Sequence, residues 1–133
     1  MTTPKRILYI EDDAMTRDIV SIRLTRAGYG LTCIETGDSA LEYGGTGDFD
    51  LILLDLGLPG ISGIEVAKCF KADSRTKSIP ILALSAHVLT SERKRALAAG
   101  CNDFDSKPIN FSRLIQHAST RNGIAKIKYQ LLR

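Results

Sequence analysis

The sequence predicts an α/β fold, a doubly wound sheet of five parallel strands with helices on both faces. Three observations lead there. Leu51, Ile52, Leu53 and Leu54 are consecutive large aliphatics, the pattern of a strand buried on both faces beneath covering helices. Similar short apolar runs alternate along the chain with segments of helical periodicity, which argues for βαβ units. Chemically active side chains directly follow the apolar runs, and in open α/β sheets ligands bind at the carboxyl edge of the strands.

The first strand spans Arg6 to Ile10 and is followed at once by Glu11, Asp12 and Asp13. Ala14 to Ala27 reads as a helix. Met15, Ile19 and Ile22, with Val20, Leu24 and Ala27, form its wide apolar stripe, and Gly28 stops it. Leu31 to Ile34 is the second strand, after which Asp38 or Ser39 caps a short helix through Leu41 and Tyr43. Gly44-Gly45-Thr46-Gly47 lacks the Gly-Lys-Ser/Thr ending of a phosphate loop and precedes a strand, so it reads as a connection. The third strand ends at Asp55, where Gly57, Pro59 and Gly60 break the chain. Ser62 and Glu65 have capping-box spacing, with Ile61 and Val66 placed to staple a helix that runs to about Ala72.

A polar loop then leads to Ile81 through Leu84, a fourth buried strand ending at Ser85. Thr90 or Ser91 opens the next helix, and Gly100 closes it. Asp103 to Asp105 is a weak fifth strand, placed at an edge and ending near Lys107 and Pro108. Asn110 caps a last helix with Phe111, Leu114, Ile115 and Ala118 on its apolar face, which Asn122 and Gly123 end. Residues 1–120 are expected to form one domain, followed by a short basic tail at 121–133.

Composition narrows the function classes. A chain of 133 residues with 44% hydrophobic side chains suits one domain with a substantial core. A net charge of +3 is too mild to imply nucleic acid, and Arg93-Lys94-Arg95 reads as a solvated helix face. The three cysteines, Cys33, Cys69 and Cys101, lack any CxxC or histidine spacing and read as reduced thiols. No signal peptide or membrane-spanning run is visible. The expectation is a cytoplasmic protein with neither nucleic acid nor membrane as partner.

Glu11, Asp12, Asp55, Ser85 and Lys107 share one address, because parallel strands bring all their carboxyl ends to one edge. Each has a mundane explanation alone: a helix cap for Asp12 or Ser85, a surface amine for Lys107. Together they describe a site. Carboxylates about 5 Å apart at an effective dielectric near 20 repel by about 3 kcal/mol per pair, and one lysine leaves the group net negative. A hard divalent cation resolves that repulsion. Magnesium fits best, since it takes one or two carboxylates and keeps waters that phosphate oxygens can replace. A carboxylate beside such an ion and an ammonium group is placed to attack a phosphoryl group, with the Ser85 hydroxyl bonding an equatorial oxygen.

The acidic pair after the first strand, Asp-Leu-Gly-Leu-Pro-Gly from Asp55, Ser-Ala from Ser85 and Lys-Pro from Lys107 resemble the receiver domain of bacterial response regulators. The resemblance covers about residues 5 to 120, in the right order and spacing. It implies a flavodoxin-like fold with strand order 2-1-3-4-5 and phosphorylation of an aspartate by a histidine kinase or histidine phosphotransfer protein. Position by position, Asp55 matches the phosphoacceptor, Asp12 the direct magnesium ligand and Glu11 the acid that acts through water. Gly57 stands where a backbone carbonyl completes the metal site. Ser85 matches the switch hydroxyl, Lys107 the phosphate-binding lysine, and Lys107-Pro108 a peptide bond usually found cis.

Some positions depart from the pattern. Phe104 stands where the switch aromatic is often tyrosine, and Asp105 replaces a residue that is usually apolar. His87 falls where members of the family vary, and Asp13 lies one place beyond the acidic pair, outside the metal set. The expected output is that Ser85 moves towards the phosphoryl group and Phe104, thinly packed on an edge strand, rotates inward. That rearrangement would change a downstream docking face formed by the fourth helix, fifth strand and fifth helix. The kinase or phosphotransfer partner is expected on the first helix and the loop after Lys107.

Two alternatives stand beside this reading. A phosphatase with an aspartyl nucleophile needs a second acid two residues on, and position 57 is glycine. A longer regulator would carry an output domain beyond residue 133, because the tail is too short for a helix-turn-helix.

Overall fold

The computed structural model describes residues 5–86, 89–107, 109–110 and 112. Five strands alternate with four helices in that span: β1 (Arg6–Ile10), α1 (Ala14–Arg26), β2 (Gly30–Ile34), α2 (Gly37–Gly44), β3 (Leu51–Asp55), α3 (Gly63–Ala72), β4 (Ile81–Ser85), α4 (Thr90–Ala98) and β5 (Asp103–Ser106). The strands form one parallel sheet in the order β2-β1-β3-β4-β5. Of the expected last helix only Ser112 is described, and it is helical. The remainder of that helix, Pro108, His87 and the tail at 121–133 lie outside the described residues.

Because side chains alternate across a strand, the sheet has two cores. On one face Ile7, Tyr9, Leu51, Leu53, Leu82 and Leu84 pack with Val20 and Leu24 of α1. On the other, Leu8, Ile10, Ile52, Leu54, Ile81 and Ala83 meet α2, α3 and α4 through Ala40, Val66, Phe70 and Ala96. All residues of β3 and β4 are buried, as their unbroken apolar runs require.

The apolar stripe of α1 needs correcting. Only Val20 and Leu24 are buried, while Met15 is 72% exposed and Ile19 and Ile22 are each 51% exposed. At about 100° per residue the expected stripe is really two, with Met15, Ile19 and Ile22 about 150° from Val20 and Leu24, and Ala27 exposed as the C-cap. A single layer of helix against a sheet buries one of them. The cap of α2 is also corrected. Thr36, rather than Asp38 or Ser39, is the N-cap, and its hydroxyl accepts from the Ser39 N–H at 3.2 Å. For α3 Ser62 is the N-cap as expected, its hydroxyl accepting from the Glu65 N–H at 3.3 Å, while the Glu65 carboxylate pairs with Lys68 at 3.4 Å.

Two glycines position the strand ends. Gly28, at φ +97°, ends α1 in the left-handed region, so that the chain turns back into β2. Gly63 lets α3 approach the end of β3. A Cβ there would lie 2.6 Å from the Asp55 carbonyl oxygen and from Leu56 Cα. On the opposite side of the fold Lys71 braces the start of β4, its ammonium donating to the Lys77 and Ile79 carbonyls and to Asn102 Oδ1 at 3.2, 2.9 and 3.2 Å.

Candidate functional site

Register brings the strand ends level. Ile10 pairs with Leu54 and Asp55 with Leu84, so Glu11, Asp55 and Ser85 leave adjacent strands at one edge. The backbone continues the ladder: Leu56 N–H donates to the Leu84 carbonyl and Lys107 N–H to the Ser85 carbonyl, at 2.9 and 2.8 Å. Lys107 thus joins the site from the far side of β4.

Carboxylate oxygens of Glu11, Asp12 and Asp55 all lie within 4.8 Å of one another, with Glu11 and Asp55 buried and Asp12 exposed. The Lys107 ammonium stands 2.6 Å from Glu11 Oε1 and 3.3 Å from Asp55 Oδ1. The Gly57 N–H donates to Asp55 Oδ1 at 3.0 Å, orienting the carboxylate from the loop. Asp13 serves as N-cap of α1, accepting from the Thr16 N–H at 2.9 Å, which leaves Asp12 for the acidic group.

The electrostatics follow from burial. Glu11 is almost wholly enclosed, and its carboxyl is pushed up to about 7, first by burial and then by its hydrogen bond with Asp55, against the pull of Lys107. Burial alone would lower Lys107, but the Glu11 and Asp55 carboxylates hold it above the usual lysine range. The site therefore keeps a fixed cation and an acid whose charge is costly. A further divalent ion would relieve that cost, and a trio of oxygen donors open to solvent at Asp12 suits a hard one.

Three supporting residues were not anticipated. Tyr9, fully buried on β1, donates its hydroxyl to Glu11 Oε1 at 3.3 Å, and burial together with the Glu11 charge raises its pKa far above the ordinary phenol range. The signal was present, since a tyrosine two places before Glu11 points to the same side of the strand. Arg17 on α1 donates to the carbonyls of both Glu11 and Asp12 at 3.0 Å, bracing the loop that carries them. Glu92, in the first turn of α4, accepts the Ser85 hydroxyl at 2.8 Å.

Phe104 corrects an expectation. The ring is not loosely held on the edge strand but only 5% exposed, in the same core cluster as Ala83, Ala96 and Ala99. Ala83 is its partner across the β4–β5 register, and these small side chains leave room for a ring.

The sequence matches the response regulator receiver domain family over residues 7–119. The chain belongs to that family. The receiver is 32% identical to the polar-differentiation response regulator DivK of Brucella anthropi over 113 residues, 85% of this chain and 92% of DivK. Its fold is similar to the receiver domain of the sensor histidine kinase PA1611 of Pseudomonas aeruginosa PAO1, solved with a magnesium ion in its active-site cleft. The TM-score is 0.79 at 28% identity, covering 87% of this chain and 98% of that one. It is also similar to a chain in the co-crystal structure of the Saccharomyces cerevisiae phosphotransfer protein Ypd1 with the receiver domain of Ssk1. There the TM-score is 0.80 at 27% identity, covering 96% and 94%. The receiver is accordingly a phosphorelay signalling domain with the five-stranded flavodoxin-like fold.

Proposed function

We propose that Asp55 is the phosphoacceptor of this receiver and that it takes its phosphoryl group from a phosphohistidine on a kinase or phosphotransfer protein. The observation that carries the reading is the position of Asp55, which ends a buried strand while its carboxylate meets both the acidic group and the Lys107 ammonium. In the transfer a carboxylate oxygen attacks phosphorus as the P–N bond to imidazole breaks. The electron pair leaves with the ring nitrogen, and an acyl phosphate remains on Asp55. Lys107 balances the negative charge brought to the site, and Ser85, at the adjacent strand end, supplies the hydroxyl that a phosphoryl oxygen can accept from once it turns away from Glu92. Glu11, Asp12 and Asp55, with the Gly57 carbonyl, would hold magnesium, which when bound neutralises charge on the phosphoryl oxygens. Water attack on the acyl phosphate later returns the receiver to its starting state, a slow self-dephosphorylation rather than turnover of a substrate.

The partner docks along α1. Met15 and Ile19 are exposed apolar side chains in the first turns after the acidic loop, and Ile109 follows Lys107 on the other side of the site. The solved pairing of Ypd1 with the receiver domain of Ssk1 supports a phosphotransfer protein as one such partner. A downstream protein reads the face of α4 and β5, where Leu89, Thr90, Arg93, Phe104, Asp105 and Ser106 line a depression. No described helix is long and apolar enough to cross a membrane, and Cys33, Cys69 and Cys101 are free thiols, which supports a cytoplasmic setting.

Incubation with acetyl phosphate and magnesium is expected to add one phosphoryl group, and none to Asp55→Asn. Equal labelling of that variant would remove Asp55 from the role. Met15→Ser and Ile19→Ser are expected to keep acetyl phosphate labelling and slow transfer from a phosphorylated partner several-fold. Unchanged transfer would place the partner elsewhere.

A further inference from the structure

Ser85 ends β4 with its backbone already fixed, because its carbonyl accepts the Lys107 N–H at 2.8 Å. Its hydroxyl carries one proton, and that proton goes to Glu92 Oε1 at 2.8 Å. A glutamate carboxylate and a phosphoryl oxygen are both acceptors. The single proton of Ser85 can serve one or the other, never both.

Glu92 is placed unusually for this. It is the third residue of α4, the position from which a capping-box glutamate reaches back to the N-cap N–H. Here the N-cap is Leu89, which makes no side-chain cap hydrogen bond, and Glu92 is spent on Ser85 instead. The Ser85–Glu92 hydrogen bond therefore ties the first turn of α4 to the strand end.

We propose that Glu92 is a latch on the phosphorylation site. It holds the Ser85 hydroxyl in the unphosphorylated receiver and is released when that hydroxyl turns to the phosphoryl group. This deepens the reading of Asp55 as phosphoacceptor and rests on it. The exchange has two consequences. Breaking the Ser85–Glu92 bond opposes phosphorylation, so the latch sets how readily the site is filled. A released Glu92 carboxylate, repelled by the added phosphoryl charge, is free to rearrange the first turn of α4. Thr90 and Arg93 of α4 line the depression against β5, so the rearrangement reaches the surface assigned to the downstream protein. Glu92 is a positioning residue; it acts through Ser85.

The test is a double-mutant cycle read by binding of beryllium fluoride, a phosphoryl mimic, in the presence of magnesium. Removing one hydrogen bond to a charged acceptor is worth about a tenfold change. Glu92→Ala is therefore expected to bind beryllium fluoride about tenfold tighter than the parent, with Glu92→Gln between the two. In a Ser85→Ala background, Glu92→Ala is expected to change affinity less than twofold, since the bond it would break is already gone. A purely structural role for Glu92 would act alike in both backgrounds. Affinity of Glu92→Ala equal to or weaker than the parent's overturns the latch, as does equal tightening in both backgrounds. If the parent binds no beryllium fluoride and Asp55 accepts no phosphoryl group from acetyl phosphate, the phosphoacceptor reading has failed and takes the latch with it. Normal labelling of Asp55 without the Glu92 effect leaves that reading standing and removes the latch alone.

Discussion

At the β1–β3 end of the site, Glu11 and Asp55 meet Lys107 at 2.6 and 3.3 Å, whereas at the β4 end Ser85 gives its proton to Glu92 on α4. The first group is placed by sheet register and held by several contacts at once: Tyr9 and Lys107 on Glu11, Gly57 N–H on Asp55, and Arg17 under the acidic loop. The second joins a strand end to a helix through a side-chain hydroxyl, Ser85 to Glu92. The difference separates two tasks. Binding an ion and a phosphoryl group needs preorganised charge, while reporting that event needs a bond that is cheap to exchange.

Phe104 offers the largest test of this division. Truncating the buried ring, Phe104→Ala, is expected to cost about 3–5 kcal/mol in urea unfolding, as large-to-small core changes do. Beryllium fluoride affinity of the folded variant is expected to stay within about threefold of the parent's. Tightening as large as that of Glu92→Ala would make the ring part of the switch rather than of the core.

Asp12 comes next. Asp12→Ala is expected to weaken magnesium binding at least tenfold, about 1.4 kcal/mol, while Glu92→Ala leaves it unchanged. Isothermal titration of both variants would show it. A matching loss in Glu92→Ala would merge the two halves that the structure keeps apart.

The smallest effect is a pH dependence in the metal-free protein. Glu11 titrates near 7 in the fold, above its ordinary value of 4.5, with Tyr9, Asp55 and Lys107 facing it. A raised acid stabilises the fold below its unfolded pKa and loses that contribution as pH rises through the folded one. Lys107, also raised, stays charged across this window. The melting temperature in EDTA is therefore expected to fall as pH rises from 4.5 to 7. Magnesium should abolish the slope by favouring the ionised carboxylate. A slope that persists with magnesium would detach Glu11 from the ion site.

Strand positions and the shared edge were legible because a parallel sheet writes itself as short aliphatic runs ending in polar residues. Glu11, Asp55 and Ser85 could be named for the same reason, each being the first polar group after a buried run, whereas Asp12 follows Glu11 and Lys107 follows a weak, polar fifth strand, so these two were named from their place in the order of motifs. Helix faces were read less well. Periodicity in α1 contains two apolar rows, and only the sheet beneath it decides that Val20 and Leu24 go in while Met15, Ile19 and Ile22 stay out.

Sequence by itself determined the layered architecture, the chain of strand-end groups and the helix stop at Gly28, because these depend on residues close together along the chain. Tertiary structure alone decided the burial of Phe104 against Ala83, Ala96 and Ala99, the contact of Lys107 with Glu11, and the bond between Ser85 and Glu92. Each of these depends on how much space a neighbouring element leaves and which acceptor a rotating donor meets first. Neither quantity is encoded in local spacing; both appear only when α4 and β5 are packed against β4.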